Sequence, residues 1–119
     1  MWIFNMDGFF SVVEHRDHPS MVLVRARYQK DLETVAKKVG ARMWPTPDQD
    51  YPYRLFCSKK QWVKYIAHSA AKIDYDNFKN AALKNADDRR SAQYHEVWAT
   101  MAGWRGVIPK NFDEEDGYE

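Results

Sequence analysis

The segment "MVLVRARY", residues 21–28, alternates two kinds of side chain along its length. Val22, Val24 and Ala26 form one set, and Leu23, Arg25 and Arg27 form the other. In an extended strand successive side chains point to opposite faces, so one face of this strand is apolar and the other carries two guanidinium groups. The apolar set suits the side covered by helices. The arginines then lie on a face left open, and any sheet containing this strand is covered on one side only.

The neighbouring segments supply the rest of that sheet. "WIFNMDGFFSVVEHR" holds two β-leaning runs around Asp7-Gly8, a dipeptide suited to a tight turn or a bulge with positive φ, and its main strand is expected at Phe9 to His15. "HRDHPS" is a polar turn containing Pro19, so this strand and 21–28 form an antiparallel hairpin. "QKDLETVAKKVG" places Leu32, Val35, Ala36 and Val39 at helical spacing, with Gly40 where a C-cap glycine belongs. "ARMWPTP" reads as a strand cut off by its prolines, "DQDYP" as a loop and "YRLFC" as a returning strand, a second hairpin.

Ser58 followed by Gln61 is a capping-box pattern, and Trp62, Ile66, Ser69, Ala70 and Ile73 then line one face of a long helix. "NADDRR" restarts a helix with Asp87 or Asp88 as N-cap and Tyr94, Val97, Trp98 and Met101 as its buried stripe, ending at Gly103 or Gly106. The expected order is β-β-α-β-β-α-α. That is an α+β protein with an antiparallel sheet of about four strands and helices on one face, a pattern compatible with a ferredoxin-like arrangement.

A chain of 119 residues can bury one core, so residues 1–108 are expected to form a single α+β domain, followed by an acidic tail over 109–119. The last seven residues, "DEEDGYE", hold five of the 17 acids and no base, which leaves eighteen bases against twelve acids in residues 1–112. Such a tail either frays into solvent, or screens a basic surface of the body or presents acids to a basic partner. Cys57 is the one cysteine, and "MWIFNMDGFF" has no basic start, long apolar run or small-residue cleavage site; both point to a cytoplasmic protein. No apolar run approaches the roughly 20 residues that span a bilayer.

Candidate chemistry is sparse. Asp74 and Asp76 in "KIDYDNFKN" would point about 200° apart on a helix, so they are read as caps at a joint between two helices, with Tyr75 and Phe78 packed in the elbow. "HRD" at 15–17 lacks the Asn five residues on that a kinase catalytic loop requires, since Val22 stands there. His15 and His18 lack the three or four converging ligands of a metal site, and Cys57 is placed as a small core residue. No serine sits in a nucleophile elbow, and the isolated glycines make neither a P-loop nor a dinucleotide fingerprint. No catalytic residue, metal or cofactor is expected. Lys59, Lys60 and Lys64 cluster near the start of the long helix, where they oppose its dipole; solvated lysines account for them, with an anion on the helix N-terminus as the sharper alternative.

"MWIF", "GFFSVV", "LVRAR", "YPYR", "IDYDNFK" and "YHEVW" together resemble a family of small bacterial and phage proteins with a Trp-Ile-Phe start and a Gly-Phe-x-Ser-Val-Val segment. The resemblance covers most of residues 1–104, leaves "RMWPTPDQD" and the tail unmatched, and implies a coherent domain without assigning any residue to catalysis.

The open sheet face is the one surface the sequence singles out. Alternation in "YRLFC" turns Tyr53, Leu55 and Cys57 inward and sets Arg54 and Phe56 beside Arg25 and Arg27, and "ARMW" adds Arg42 and Trp44. Interleaved arginines and aromatics mark protein hot spots and also suit phosphates and stacked bases, and a merely solvated face is the third reading. The expectation is a non-catalytic binding module, such as a phage or accessory protein, that meets a partner protein or a second copy through Arg25, Arg27, Arg42, Trp44, Arg54 and Phe56. Nucleic-acid or nucleotide binding by the same face is the alternative, and an enzyme of unrecognised type ranks below both.

Overall fold

The computed structural model describes residues 1–103. These form β1 (Trp2–Asn5), β2 (Gly8–Glu14), β3 (Met21–Ala26), α1 (Gln29–Val39), β4 (Met43–Pro45), β5 (Tyr53–Ser58), α2 (Lys59–Ala71), α3 (Phe78–Ala82) and α4 (Asp88–Met101). The chain divides into a unit spanning Met1–Asp74 and a second beginning at Tyr75. The expected end of the body at 108, Gly106 and the acidic tail lie outside the described residues.

The first unit is α+β, and its sheet is antiparallel throughout in the order β1-β2-β3-β5-β4. The alternation of residues 21–28 puts β3 at the centre. Val12, Val24, Leu55 and Met43 form one register row across four strands, and Phe10, Ala26 and Tyr53 form the next. Leu32, Val35, Ala36 and Val39 of α1, with Trp62 and Tyr65 of α2, close this face into the core. Phe10, Val24, Leu32, Val35 and Leu55 are fully buried, each contributing roughly 1.5–3 kcal/mol relative to exposure.

β3 and β4 run parallel to each other with β5 antiparallel between them, and α1 is the crossover. A ferredoxin-like chain runs β-α-β-β-α-β. Here the strand on the other side of β3 is β2, which precedes α1, and α2 is followed by helices among the described residues.

The sheet has five strands where about four were expected, because the first residues pair as a strand of their own. Asp7 and Gly8 close a tight turn in which the Asn5 side-chain carbonyl accepts from the Asp7 N–H (2.9 Å) and the Gly8 N–H (3.2 Å). Trp2 to Asn5 are thereby folded back on β2, and the Met1 ammonium donates to the Val12 carbonyl at 2.7 Å.

α1 carries the expected apolar stripe, and Gly40 caps it at φ 70°. Its first turn also buries Asp31, only 4% exposed, whose carboxylate accepts the Phe9 N–H at 3.2 Å. α2 opens with the expected capping box, in which Ser58 Oγ accepts the Gln61 N–H and Gln61 Oε1 accepts the Ser58 N–H. Its buried residues are Trp62 and Tyr65, while Ala70 and Ile73, expected inside, are exposed. The Tyr65 hydroxyl donates to Asp7 Oδ2 (2.7 Å) and accepts from Asn5 Nδ2 (2.9 Å), tying α2 to the β1–β2 turn.

The 72–80 stretch is a joint, as expected, with the Tyr75 and Phe78 rings 5.7 Å apart, but neither aspartate caps it. Asn77 does, accepting the Asn80 N–H at 3.0 Å, because it alone immediately precedes the helix in extended backbone. Asp74 and Asp76 are exposed. In the second unit Asp87, one of the two expected candidates, caps α4; of the expected stripe Tyr94 is buried, Ala99 is also buried, and Val97 and Met101 are exposed.

A Cβ at Gly8, where φ is +142°, would stand 2.1 Å from Asp31 Cγ. Gly8→Ala therefore combines strained backbone with a clash against buried polar structure, and an expected loss on the order of 3 kcal/mol appears as a lower midpoint in chemical denaturation. An unchanged midpoint would refute the close approach of α1 to the turn.

Candidate functional site: the open face of the sheet

One register row on the uncovered face runs Trp2, Ser11, Arg25, Arg54, Trp44 across all five strands. The next carries Val13, Leu23 and Phe56. No strand position on this face is acidic. Edge and rim residues keep large apolar area in solvent: Trp2 is 76% exposed, and Val13 and Phe56 are each 39% exposed.

The centre is occupied from an unexpected direction. Tyr51, in the loop between β4 and β5, lays its ring on the face, where it is only 5% exposed. The guanidinium carbons of Arg25 and Arg27 lie 4.9 and 4.7 Å from its centroid, and the Phe9 ring is 6.4 Å away. Arg25 also donates to Ser11 Oγ at 2.7 Å, and Arg54 Nε donates to the Tyr51 carbonyl at 3.3 Å. Thr46 Oγ1 donates to that same carbonyl at 3.0 Å, which ties the two ends of the loop together. Three of the arginines are thus engaged with one loop residue.

On one side of this clamp Phe9 stacks on Phe4 at 4.5 Å and meets the edge of Trp2 at 6.3 Å. On the other, Phe56 contacts Trp44 at 4.9 Å and His15 at 4.4 Å, with His18 a further 4.8 Å from His15. The six anticipated residues therefore fall into groups: Arg25, Arg27 and Arg54 around Tyr51, Trp44 with Phe56, and Arg42 apart, exposed and one residue before β4. Tyr51 was passed over because a polar, proline-bounded loop carries no periodicity. The only sign of it was an aromatic residue where turn residues are the rule.

Elsewhere the chemistry is quiet. Cys57 lies opposite Val22 on the covered side, and burial pushes its thiol up from 9.0 to about 11, the reverse of nucleophile activation. His15 Nδ1 accepts the Asp17 N–H at 3.0 Å, and no group of three or more His, Cys, Asp or Glu suited to a metal exists among the described residues. Lys59 pairs with Glu14 at 2.9 Å, on the surface. No helix among the described residues is long and apolar enough to cross a membrane.

Comparison with protein-family models, curated proteins and solved structures found no match to this chain.

Two predictions follow from this geometry. Tyr51→Phe should keep native stability, since the ring makes the contacts, whereas Tyr51→Ala should cost about 3 kcal/mol in denaturant unfolding. Equal losses for both would shift the role to the hydroxyl. For Cys57, a thiol with its folded value raised holds its proton in the native state while the unfolded chain releases it. Its stabilisation is complete below pH 9 and is lost as pH rises to about 11. Unfolding free energy should fall by at most about 1.4 kcal/mol per pH unit in that window from this group, and Cys57→Ala should flatten the decline.

Proposed function

We propose that this protein is a non-catalytic binding module that docks a partner protein on the open sheet face. The observation that carries this reading is the division of that face. The arginines at its centre are spent on Tyr51 and Ser11, while the apolar row of Val13, Leu23 and Phe56, flanked by Trp44, stays accessible. Rigid aromatic anchors beside already ordered arginines lose little side-chain entropy on association, which is the composition and physics of interface hot spots. A fitting partner presents an apolar side chain to Phe56 and Trp44 and a carboxylate to Arg27 or Arg42, both exposed at the rim.

A specific observation also favours nucleic acid as the second reading: the face has no acidic strand position, and exposed Arg27 lies over an aromatic ring. Such binding would be governed by phosphate contacts and would fall steeply with salt.

The discriminating experiment pairs affinity capture of cellular partners with anisotropy of a labelled single-stranded oligonucleotide at low and moderate salt. The expected result is a captured protein that Trp44→Ala or Phe56→Ala weakens by about 2 kcal/mol and Arg27→Ala by less, with no oligonucleotide binding. Oligonucleotide binding that is lost in Arg27→Glu would move the second reading ahead. A sedimentation shift to dimer abolished by Phe56→Ala would identify the partner as a second copy. Capture indifferent to all three substitutions would discard the face.

A further inference from the structure

On the opposite side of the first unit, between the last turn of α1 and one face of α2, runs an open groove of about 480 Å³ lined by Lys38, Val39, Gln61, Lys64, Tyr65 and His68. Four of these come from α2 at positions 61, 64, 65 and 68, the spacing of a single helix face. Val39 and Tyr65 are buried and make an apolar floor; Lys38, Lys64 and His68 are exposed and make a basic rim.

The floor and one wall are held in place. Gln61 Nε2 donates to the Val39 carbonyl at 3.1 Å, which fastens α2 to the end of α1. The Tyr65 hydroxyl is engaged with Asp7 and Asn5, and its pKa is driven upward, first by burial and then by its bond to Asp7, so it stays neutral. Lys38 is 3.0 Å from Asp7, and that pair balances its own charge. The side chains of Lys64 and His68 make no hydrogen bond or ion pair within the described residues. An uncompensated lysine and a histidine one turn apart, beside a third basic group and above an apolar floor, form a recess suited to an anion with an organic body.

We propose that this groove binds a small organic phosphate. The dianionic head meets Lys64, His68 and the one donor of Lys38 that Asp7 does not use, and the body packs on Val39 and the Tyr65 ring. The volume lies within the range of small-ligand clefts, roughly 300–1,000 Å³, and exceeds what a bare phosphate fills. Lys64 supplies the unpaired charge and His68 and Lys38 further donors around the head, and the three acceptor oxygens of a phosphate use them more fully than the two of a carboxylate. The site is independent of the open face and its partner.

The test titrates the full chain at neutral pH with phenyl phosphate, inorganic phosphate and benzoate, followed by backbone amide chemical shifts. Phenyl phosphate should saturate with Kd below about 1 mM and shift the amides around Lys38, Lys64 and His68, with the other two probes about tenfold weaker. The double substitution Lys64→Ala with His68→Ala should weaken phenyl phosphate by at least about tenfold while the unfolding midpoint holds, both residues being exposed. Arg27→Ala should leave the titration unchanged, which separates this groove from the open face. Benzoate binding as well as phenyl phosphate would overturn the phosphate assignment. An absence of saturation, binding that survives the double substitution, or shifts confined to the open face would overturn the site.

Discussion

The carboxylate of Asp31 occupies the place where any side chain at residue 8 would have to go, and the rest of the first unit is arranged around that close approach. Because residue 8 is glycine, the first turn of α1 can press onto the β1–β2 turn, and Asp31 can satisfy the Phe9 N–H from inside. The same turn presents Asn5 and Asp7 to Tyr65, which fixes α2 beside α1. A buried carboxylate is costly unless its oxygens find donors. Here that cost accompanies a junction at which the hairpin and both helices meet.

That junction leaves the sheet with two sides of different character. On the covered side, rows of Val, Leu and Phe meet helices, and the one thiol is sealed and protonated. On the open side, one row that starts and ends in tryptophan passes through serine and arginine, and a loop tyrosine settles on the guanidinium groups. Tyr51 alters what the arginines do. Arg25 and Arg27 set their planar groups against its ring, and Arg25 and Arg54 donate to Ser11 and the Tyr51 carbonyl, so they brace a surface on which an apolar row and the exposed Arg27 stay accessible. The basic groove between α1 and α2 lies on the other side of the sheet, so one small unit presents two surfaces of different chemistry.

Where the chain's own pattern was strong, it was legible. The alternation in residues 21–28 and in "YRLFC" gave the correct face for Val22, Val24, Arg25, Leu55 and Phe56, because a paired strand has a period of two and no freedom to slip by one. The caps at Ser58, Gly40 and Asp87 were legible because capping is local chemistry within four residues. The stripes of α2 and α4 were overextended for the opposite reason. Helical spacing shows which residues share a face, yet whether anything lies beneath Ile73 or Met101 depends on where neighbouring elements end. The cap at 77 was missed because Asp74, Asp76 and Asn77 all have the right side chain, and only the backbone at the helix start selects among them.

What the sequence determined by itself was the one-sided antiparallel sheet, its register faces and an arginine–aromatic surface, since these follow from short-range periodicity and from the reluctance of guanidinium groups to be buried. What only the tertiary structure decided was which distant residues meet: Tyr51 folded over Arg25 and Arg27, Asp31 set against Gly8, and Lys38 lining one groove with Lys64 and His68. Each of those contacts joins residues some twenty or more positions apart. No local propensity encodes them; they exist because the packing of α1, α2 and the β4–β5 loop on the sheet brings those side chains together.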